Sequence, residues 1–458
     1  MTRISRQFVL GWLLRLIAFL SWVIAIVWFI DSPGYEPLLA ALAGIAAFLA
    51  ARKTPSPANP KEQIELFSAE CGDHPLDLGQ QRLIVSKAFG SYFTGLLERE
   101  TGYVLLPGQI DCPSVQGFEA AEPIQRVFWA LHHPRGPRVI LIAAEGGMGK
   151  STLATKIVRC LHEQDAIDMI LGDSAKTEQV DPISGTLRDL TPGYYDLDSF
   201  YRKLSDQLAI PNSSGKDSIG IVRDRLEGRR ALVIVDNLET LSNGDKLLHS
   251  LQAITSRDVR AIITTRTMSG FDLSSGNILV VRLKPLNDID SLQRFLSWHI
   301  QQFQTVHPAL DNLRADLTQV HLIRKLAEKT GGIPLLIQVL FSNVANRSWA
   351  YLDSLPGLFG MSLLDFLYRN HWEDLNNLGR PGKGAAELLR WISLEQYRHN
   401  KISRERVTQW AVDSGWSNQL EETLSLLHER FMLVNMDKKQ GSYAIAPSLA
   451  TFVQDQSH

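Results

Sequence analysis

Two apolar runs separated by a short polar turn lie near the N-terminus. The first extends from Phe8 to Ile30 and contains a single charged residue, Arg15. At about 1.5 Å of rise per residue, a helix of this length crosses the roughly 30 Å hydrocarbon core of a bilayer. The second run, Pro37 to Ala51, is shorter, and by length alone it fits a re-entrant segment or a buried helix, but the charges around it favour a second span. The pattern predicts a transmembrane hairpin in residues 1–53, with spans at 8–30 and 37–51.

Charged residues around the two runs indicate their orientation. Arg3 and Arg6 precede the first run, basic residues follow the second, and the connecting turn carries only acids. Because cytoplasmic loops are enriched in lysine and arginine, both ends of the hairpin are expected in the cytoplasm. The chain is therefore interpreted as a two-span protein of the cell inner membrane, in contact with membrane lipid. One span followed by a surface helix is the alternative.

A linker comes next, followed by a region without a recognisable catalytic or binding motif. The stretch from Thr54 to Pro60 has closely spaced prolines, which favour an extended, semi-rigid conformation. The sequence after it indicates helices from Glu62 to Cys71 and from Gln80 to Glu100. Residues 54–117 are interpreted as a linker and helical region of unknown role.

A buried strand, a glycine-rich loop and an amphipathic helix then follow in that order. The apolar run Val139–Ala144 is typical of a central parallel strand, and AEGGMGKST occupies residues 144–152. In a phosphate-binding loop the backbone amides and the helix N-terminus bind phosphates. Ala144 replaces the usual first glycine, which requires a negative φ there. The expected nucleotide-binding residues are Glu145, Gly146, Gly147, Met148, Gly149, Lys150, Ser151 and Thr152.

Two later strands end in groups suited to the same site. The strand before Asp236 predicts that this carboxylate holds Mg²⁺ through water, while the Ser151 hydroxyl ligates the ion. Glu239 is the candidate for polarising the attacking water, or a solvated carboxylate that opens the next helix. The strand beginning at Val259 ends at Arg266, which would contact the terminal phosphate or simply be exposed. The candidate catalytic residues are Lys150, Asp236, Glu239 and Arg266.

The composition of the chain limits the classes of protein to which it can belong. The chain has 458 residues, of which 45% are apolar, and it can bury about two or three ordinary cores. Its net charge of −2 gives no overall attraction to nucleic acid, which argues against a nucleic-acid partner. Cys71, Cys112 and Cys160 are odd in number and lack CxxC spacing, which argues against a disulfide framework and a zinc site.

Five motifs occur in a recognisable order: GGMGKS at 146–151, LVIVDNLE at 232–239, IITTR at 262–266, LKPL at 283–286 and GGIPLL at 331–336. This order resembles that of STAND signalling NTPases, closest to the NB-ARC type, over roughly Phe118 to Phe452. The resemblance implies ATP or ADP with Mg²⁺ as cofactors. It also implies that Pro334 lies beside the adenine or ribose; a plain helix start without ligand contact is the alternative.

The resemblance further implies three domains. These are an α/β P-loop nucleotide-binding domain with a parallel sheet at 118–285, a small helical lid domain at 286–360 and a winged-helix domain at 361–458. In the last, helical spacing at 385–394, 403–412 and 418–430 leads into apolar strands at 431–436 and 442–446. Winged helices also read DNA, but acids interleave with the basic residues here.

One three-residue motif of the resembled family is different in this chain. Its members commonly carry Met-His-Asp at the end of the winged-helix domain, with the histidine on the ADP β-phosphate. The matching positions here are Ile445, Ala446 and Pro447. The ADP contact is therefore expected to be absent or supplied otherwise.

These observations predict a membrane-anchored ATP/ADP switch, a slow ATPase at most. Nucleotide exchange would drive opening and homo-oligomerisation, and so regulate the N-terminal hairpin in a role such as bacterial defence. Family members usually continue into a repeat array that senses a ligand. The trigger is therefore expected to be detected by a separate protein, by residues 62–136 or by the membrane. The alternatives are a membrane-tethered winged-helix transcription regulator and a constitutive ATPase motor.

Overall fold

The computed structural model of the chain describes most residues from the glycine-rich loop onward and a few before it. The predicted transmembrane hairpin, the linker and the helix predicted at Glu62–Cys71 lie outside the described residues. Among the helices that are described, none has the length and apolar character needed to cross a bilayer. The described ranges are 84–85, 110–111, 123–133, 136–163, 166–210, 218–241, 244–268, 277–353, 361–399, 401–431, 433–437 and 440–456.

A seven-stranded sheet carries the glycine-rich loop. Its order is β1-β4-β7-β8-β3-β9-β2, and all neighbours pair in parallel except β2, which is antiparallel to β9. Strands β5 and β6 form a separate hairpin. All residues of β3, β4, β7 and β8 are buried, as expected for central parallel strands. In chain order the strands are β1 (Ile84–Val85), β2 (Ile110–Asp111), β3 (Val139–Ala143), β4 (Met169–Ser174), β5 (Glu178–Val180), β6 (Leu187–Asp189), β7 (Ala231–Asp236), β8 (Val259–Thr265) and β9 (Ile278–Leu283).

Both edge strands come from the region predicted to be linker and helix. The helix predicted over Gln80–Glu100 is wrong at Ile84 and Val85, which pair in parallel with Met169 and Ile170. Two β-branched residues fit an edge strand, because they pack well on a pleated surface. The sheet therefore takes strands from before residue 118.

Helices flank the sheet, which confirms an α/β P-loop fold with a largely parallel sheet. These helices are α1 (Pro123–His132), α2 (Lys150–Glu163), α3 (Leu197–Gln207), α4 (Ser218–Leu226) and α5 (Gly244–Ile254). Alternate residues of the central strands form one core with α3, α4 and α5. Helix α2 contacts β3 and β8. Its residue Cys160 is disulfide-bonded, so the argument against a disulfide framework does not hold for this cysteine.

A helical segment follows β9. It contains α6 (Ile289–Phe303), α7 (Val320–Thr330) and α8 (Pro334–Arg347), with short 3-10 turns at 308–313, 315–318 and 349–353. Helix α7 ends at Gly331, which has φ +63° and caps the helix in the left-handed conformation, and Gly332 follows with φ +72°. Two positive-φ glycines produce a sharp turn into α8, whose first residue is Pro334.

In its described residues, the C-terminal segment combines α-helices with a small antiparallel sheet of order β10-β12-β11. Helices are present across the three ranges where spacing predicted them. The strand predicted at 431–436 begins only at Asn435, because the Phe431 and Leu433 amides still donate to helix carbonyls. In chain order the elements are α9 (Met361–Asn377), α10 (Arg380–His399), β10 (Ile402–Ser403), α11 (Arg404–Asp413), α12 (Leu420–Ser425) with a π-helical turn at Leu426–Arg430, β11 (Asn435–Asp437), β12 (Ser442–Ala444) and α13 (Pro447–Asp455).

Candidate nucleotide-binding site

The glycine-rich loop joins the carboxyl end of β3 to the first residue of α2, Lys150. Ala144 is buried and its amide donates to the carbonyl of Thr265 at 3.2 Å. Its φ is not positive, whereas Gly147 and Gly149 have φ of +75° and +89°. The substitution of alanine for the usual first glycine is therefore compatible with the loop.

Gly146 and Gly147 allow helices to approach the loop closely. A Cβ on Gly146 would lie 3.0 Å from Leu367 of α9, and one on Gly147 would lie 2.8 Å from Leu335 of α8. The Leu335 amide also donates to the Gly147 carbonyl at 3.2 Å. The start of α8 and the middle of α9 thus pack directly on the loop.

The Lys150 side chain is buried and folds back over the loop. Its ammonium donates to the carbonyls of Ala144 and Glu145, each at 2.8 Å. The pKa of Lys150 is lowered to about 7, mainly by burial; the Glu239 carboxylate opposes this shift and neighbouring Arg266 adds to it. Burial raises the pKa of Glu145 to about 7, against the opposing effect of Lys150. A phosphate group would stabilise the charged form of this lysine.

Ser151, near the start of α2, and Asp236, at the end of β7, are in contact. The Ser151 hydroxyl donates to Asp236 Oδ1 at 2.6 Å, and the hydroxyls of Thr264 and Ser174 donate to the same carboxylate at 2.7 Å. Burial raises the pKa of Asp236, but Lys176 and these hydroxyls outweigh it, and the pKa is lowered overall. An ionised carboxylate beside a hydroxyl is a hard oxygen pair that fits Mg²⁺.

Sequence reasoning missed Lys176, which follows β4. Its ammonium donates to Ser151 Oγ at 2.7 Å and lies 3.5 Å from Asp236 Oδ2. Ser174 pairs in register with Asp236 across β4 and β7. The residues after β4 therefore lie beside the candidate metal ligands Ser151 and Asp236. This proximity cannot be predicted without knowing that β4 lies next to β7 in the sheet.

Glu239 and Arg266 form an ion pair at the ends of β7 and β8. Glu239 Oε1 lies 3.1 Å from Arg266 Nε, and the side chains are only 2% and 8% exposed. The alternatives of a solvated carboxylate and an exposed arginine are therefore wrong. Arg266 also donates to the Phe366 carbonyl, and its guanidinium lies 4.7 Å from the centre of the Phe366 ring. Sequence reasoning missed Phe366, which belongs to α9.

A cavity of about 780 Å³ opens above the loop, within the size range of small-molecule sites. Pro334 lines it, as do Lys176, Arg266 and Phe366. Glu145, Met148, Asp236 and Glu239 do not line it. Lining residues come from the loop, the β5–β6 hairpin, α6 and α8: Gly146, Gly147, Gly149, Lys150, Ser151, Thr152, Val180, Arg188, Phe295, Trp298, Phe303, Pro334, Leu335 and Gln338 among them.

The C-terminal segment contacts both the sheet and the helical segment. The Arg430 carbonyl accepts from the Met268 amide at 3.1 Å, just beyond Arg266. A Cβ on Gly331 would lie 2.9 Å from Ala446 Cβ, so the segment Ile445–Pro447 packs on the turn that leads to Pro334. Ile445 and Ala446 are buried. Neither Ala446 nor Pro447 lines the cavity.

Comparison with known proteins agrees with this geometry. Residues 132–266 match the family model described as an AAA domain. This part of the chain is a P-loop NTPase domain. A P-loop ATPase domain implies nucleotide binding, usually with Mg²⁺, and the amides, Lys150, Ser151 and Asp236 provide groups that fit both. No curated protein matched the chain.

Several solved structures are similar to parts of the chain at low identity. A Walker-type ATPase of Pyrococcus abyssi is 13% identical, with a TM-score of 0.44 over 72% of this chain and 94% of that one. A STAND protein with a tetratricopeptide repeat sensor from Pyrococcus horikoshii is 16% identical, with a TM-score of 0.29 over 72% of this chain and 42% of that one. Domain III of the Thermotoga maritima replication initiation protein DnaA is 13% identical, with a TM-score of 0.26 over 53% and 90%.

Proposed function

We propose that this protein is a STAND-type, NB-ARC-like switch in which bound ATP or ADP, with Mg²⁺, sets the contacts of three domains. The observation that carries the proposal is the position of Arg266. The residue expected to contact the terminal phosphate is held by Glu239, in the 3-10 turn after β7, and by Phe366 on α9. A ligand that draws the guanidinium toward the cavity would weaken its hold on α9.

Contacts next to Arg266 support the idea that a change at the nucleotide site is passed on to the C-terminal segment. The Thr267 hydroxyl and the Met268 amide both donate to the Arg430 carbonyl. The order of α10, β10, α11, α12 and the β11–β12 hairpin supports a winged-helix domain at 361–458. In this proposal the winged-helix domain and the helical lid at 286–360 close over the nucleotide and separate when it changes.

The site also supports slow hydrolysis. Mg²⁺ would neutralise phosphate charge when bound, with Ser151 and Asp236 as its ligands. Glu239 is engaged by Arg266 and does not line the cavity, so its carboxylate has to change partner before it can orient a water. A switch that waits for this change turns over slowly, whereas a constitutive motor would hydrolyse ATP steadily without a trigger.

The N-terminal hairpin is the proposed effector. Opened protomers would associate and gather the spans at 8–30 and 37–51 in the inner membrane, with both termini in the cytoplasm and a separate protein as the trigger. The apolar length of the first run and the basic residues outside the two runs support this arrangement.

Nucleotide binding is tested on the full chain in detergent by isothermal titration calorimetry with ATP and ADP in Mg²⁺. Lys150→Ala should weaken binding by at least about 100-fold, because it removes a buried charge from the phosphates. Lys246→Ala, at an exposed position on α5, is the matched control and should bind as wild type does. Absence of binding by the wild-type chain would refute the proposal.

The effector role is tested by expression in bacteria and by dye leakage from vesicles. Wild type is expected to be toxic or to cause leakage on activation, and both Lys150→Ala and deletion of residues 8–51 should abolish the effect. Toxicity that survives both changes eliminates this mechanism.

A DNA-reading role is the second candidate, favoured by the helices and hairpin of the C-terminal segment. Ion pairs weigh against it, because Arg404 is paired with Glu421, Arg406 with Glu395, and Lys401 with Asp437. A salt-dependent gel shift of duplex DNA by the full chain would favour this role over the switch.

A further inference from the structure

Lys176 lies on the two groups that would hold Mg²⁺. Its ammonium donates to Ser151 Oγ at 2.7 Å and is 3.5 Å from Asp236 Oδ2, while Ser151 Oγ donates to Asp236 Oδ1. Asp236 is fully buried and does not line the cavity, whereas Lys176 lines it with 19% of its side chain exposed. The ammonium therefore covers the carboxylate on the side where a nucleotide would bind.

A lysine ammonium and a magnesium ion cannot both use this pair of ligands. Mg²⁺ requires near-octahedral oxygen coordination at about 2.0–2.1 Å. An ammonium that donates to the same hydroxyl and faces the same carboxylate would crowd and repel the ion. Ser174 and Thr264 already donate to Asp236, so the carboxylate has few acceptor sites left for a second cation.

We infer that Lys176 is a built-in cation that competes with Mg²⁺ for Ser151 and Asp236. Without the metal, its ammonium neutralises Asp236 and lies at the edge of the phosphate site. When the metal binds, the lysine withdraws into the cavity. This inference rests on the proposed nucleotide function and adds a specific consequence to it, because ADP then keeps a cation beside it even without Mg²⁺.

The consequence is a nucleotide affinity that depends weakly on the metal. Wild type should bind ADP in EDTA almost as well as in Mg²⁺, because Lys176 remains in place of the ion. Lys176→Met removes the charge and keeps the length of the side chain, so its ADP affinity should become dependent on Mg²⁺. Lys176→Arg keeps a cation and should retain more of the affinity in EDTA than Lys176→Met does.

Two measurements on the full chain test this. Electron paramagnetic resonance of Mn²⁺ without nucleotide should show Lys176→Met binding the ion at least about tenfold more tightly than wild type. Calorimetry with ADP should show the same variant weakened at least about tenfold in EDTA, but close to wild type in Mg²⁺. Lys203→Met is the matched control, because Lys203 forms a similar pair with Asp173, at 3.1 Å and 22% exposure, and does not line the cavity.

The outcomes separate this inference from the proposed function. Unchanged Mn²⁺ affinity in Lys176→Met, or an equal loss of ADP affinity in EDTA and in Mg²⁺, overturns the competition. Failure of wild type to bind ADP or ATP under any condition refutes the proposed function instead, and the Mn²⁺ measurement then decides the role of Lys176. Thermal unfolding of each variant identifies a loss of fold.

Discussion

Arg266 Nε lies 3.1 Å from Glu239 Oε1, and these two nearly buried charges join the ends of β7 and β8. The guanidinium also donates to the Phe366 carbonyl of α9. The same side chain therefore forms an ion pair with a buried carboxylate, contacts the C-terminal segment and lines the cavity. Because one guanidinium has a limited set of donors in a fixed plane, a bound phosphate competes with these partners.

Removal of Arg266 should destabilise the protein through Glu239. Arg266→Gln leaves the carboxylate buried without its cation, and the free energy of unfolding should fall by about 3 kcal/mol. The double variant Arg266→Gln/Glu239→Gln should recover part of that loss, because it removes both charges. Thermal unfolding of the two single variants and the double variant measures the coupling.

An exposed pair is the control for this cycle. Arg230 and Asp168 are 42% and 50% exposed, and neutralising Arg230 should change stability by at most about 1 kcal/mol. Strict additivity of the Arg266 and Glu239 substitutions would contradict the buried pair.

Gly147→Ala should disturb the site more than an ordinary glycine substitution. Gly147 has φ +75°, and a Cβ there would lie 2.8 Å from Leu335 Cβ at the start of α8. Gly228 has φ +71° and nothing within 4 Å, so Gly228→Ala carries the backbone strain alone, about 1 kcal/mol. Gly147→Ala should lower the melting temperature further and weaken nucleotide binding, as calorimetry would show. Equal melting temperatures for the two variants would mean that α8 does not press on the loop.

The nucleotide loop could be predicted from the sequence because its parts are adjacent along the chain. The strand, the glycines and Lys150 are contiguous, so their geometry follows from neighbours along the chain. The edge strand at Ile84 was not predicted, because its partner Met169 is distant in sequence and helical spacing nearby dominated the interpretation.

The site residues that the sequence did not predict are those whose side chains reach the site through tertiary packing. Lys176 reaches Ser151 only because β4 lies beside β7, and Phe366 reaches Arg266 only because α9 packs on the loop. Asn237 has a φ of +70°, and asparagine tolerates this left-handed region better than most residues do. Each of these features depends on the order of strands in the sheet or on backbone conformation, and the spacing of residues along the sequence predicts neither.

Tyr368 and Ser448 should couple α9 to α13. Their hydroxyls are 2.7 Å apart and both residues are buried. Tyr368→Phe leaves the Ser448 hydroxyl without this partner, so the free energy of unfolding should fall by about 1–2 kcal/mol. Tyr195→Phe, at a residue that is 63% exposed, should have no effect on the melting temperature. An unchanged melting temperature in both variants would mean that this bond contributes nothing to the contact of α9 with α13.

Acid should destabilise the helical segment through His299. The ring is fully buried on α6 and its Nε2 lies 3.0 Å from Ser342 Oγ. Burial lowers its pKa from 6.5 to about 3, with a smaller effect of the same sign from His307. Well above pH 6.5 the ring is neutral in both states and the shift has no effect on stability. Below it, only the unfolded chain takes up the proton.

The free energy of unfolding should therefore fall as the pH drops below 6.5, by about 2 kcal/mol at pH 5 for this residue. His371, whose pKa burial also lowers to about 3, adds a loss of the same sign. Melting temperatures of wild type and His299→Gln from pH 8 to pH 5 test this, and the variant should lose less. His249→Gln, at an exposed position, should follow wild type. Parallel curves for His299→Gln and wild type would show that this ring accepts its proton while the protein remains folded.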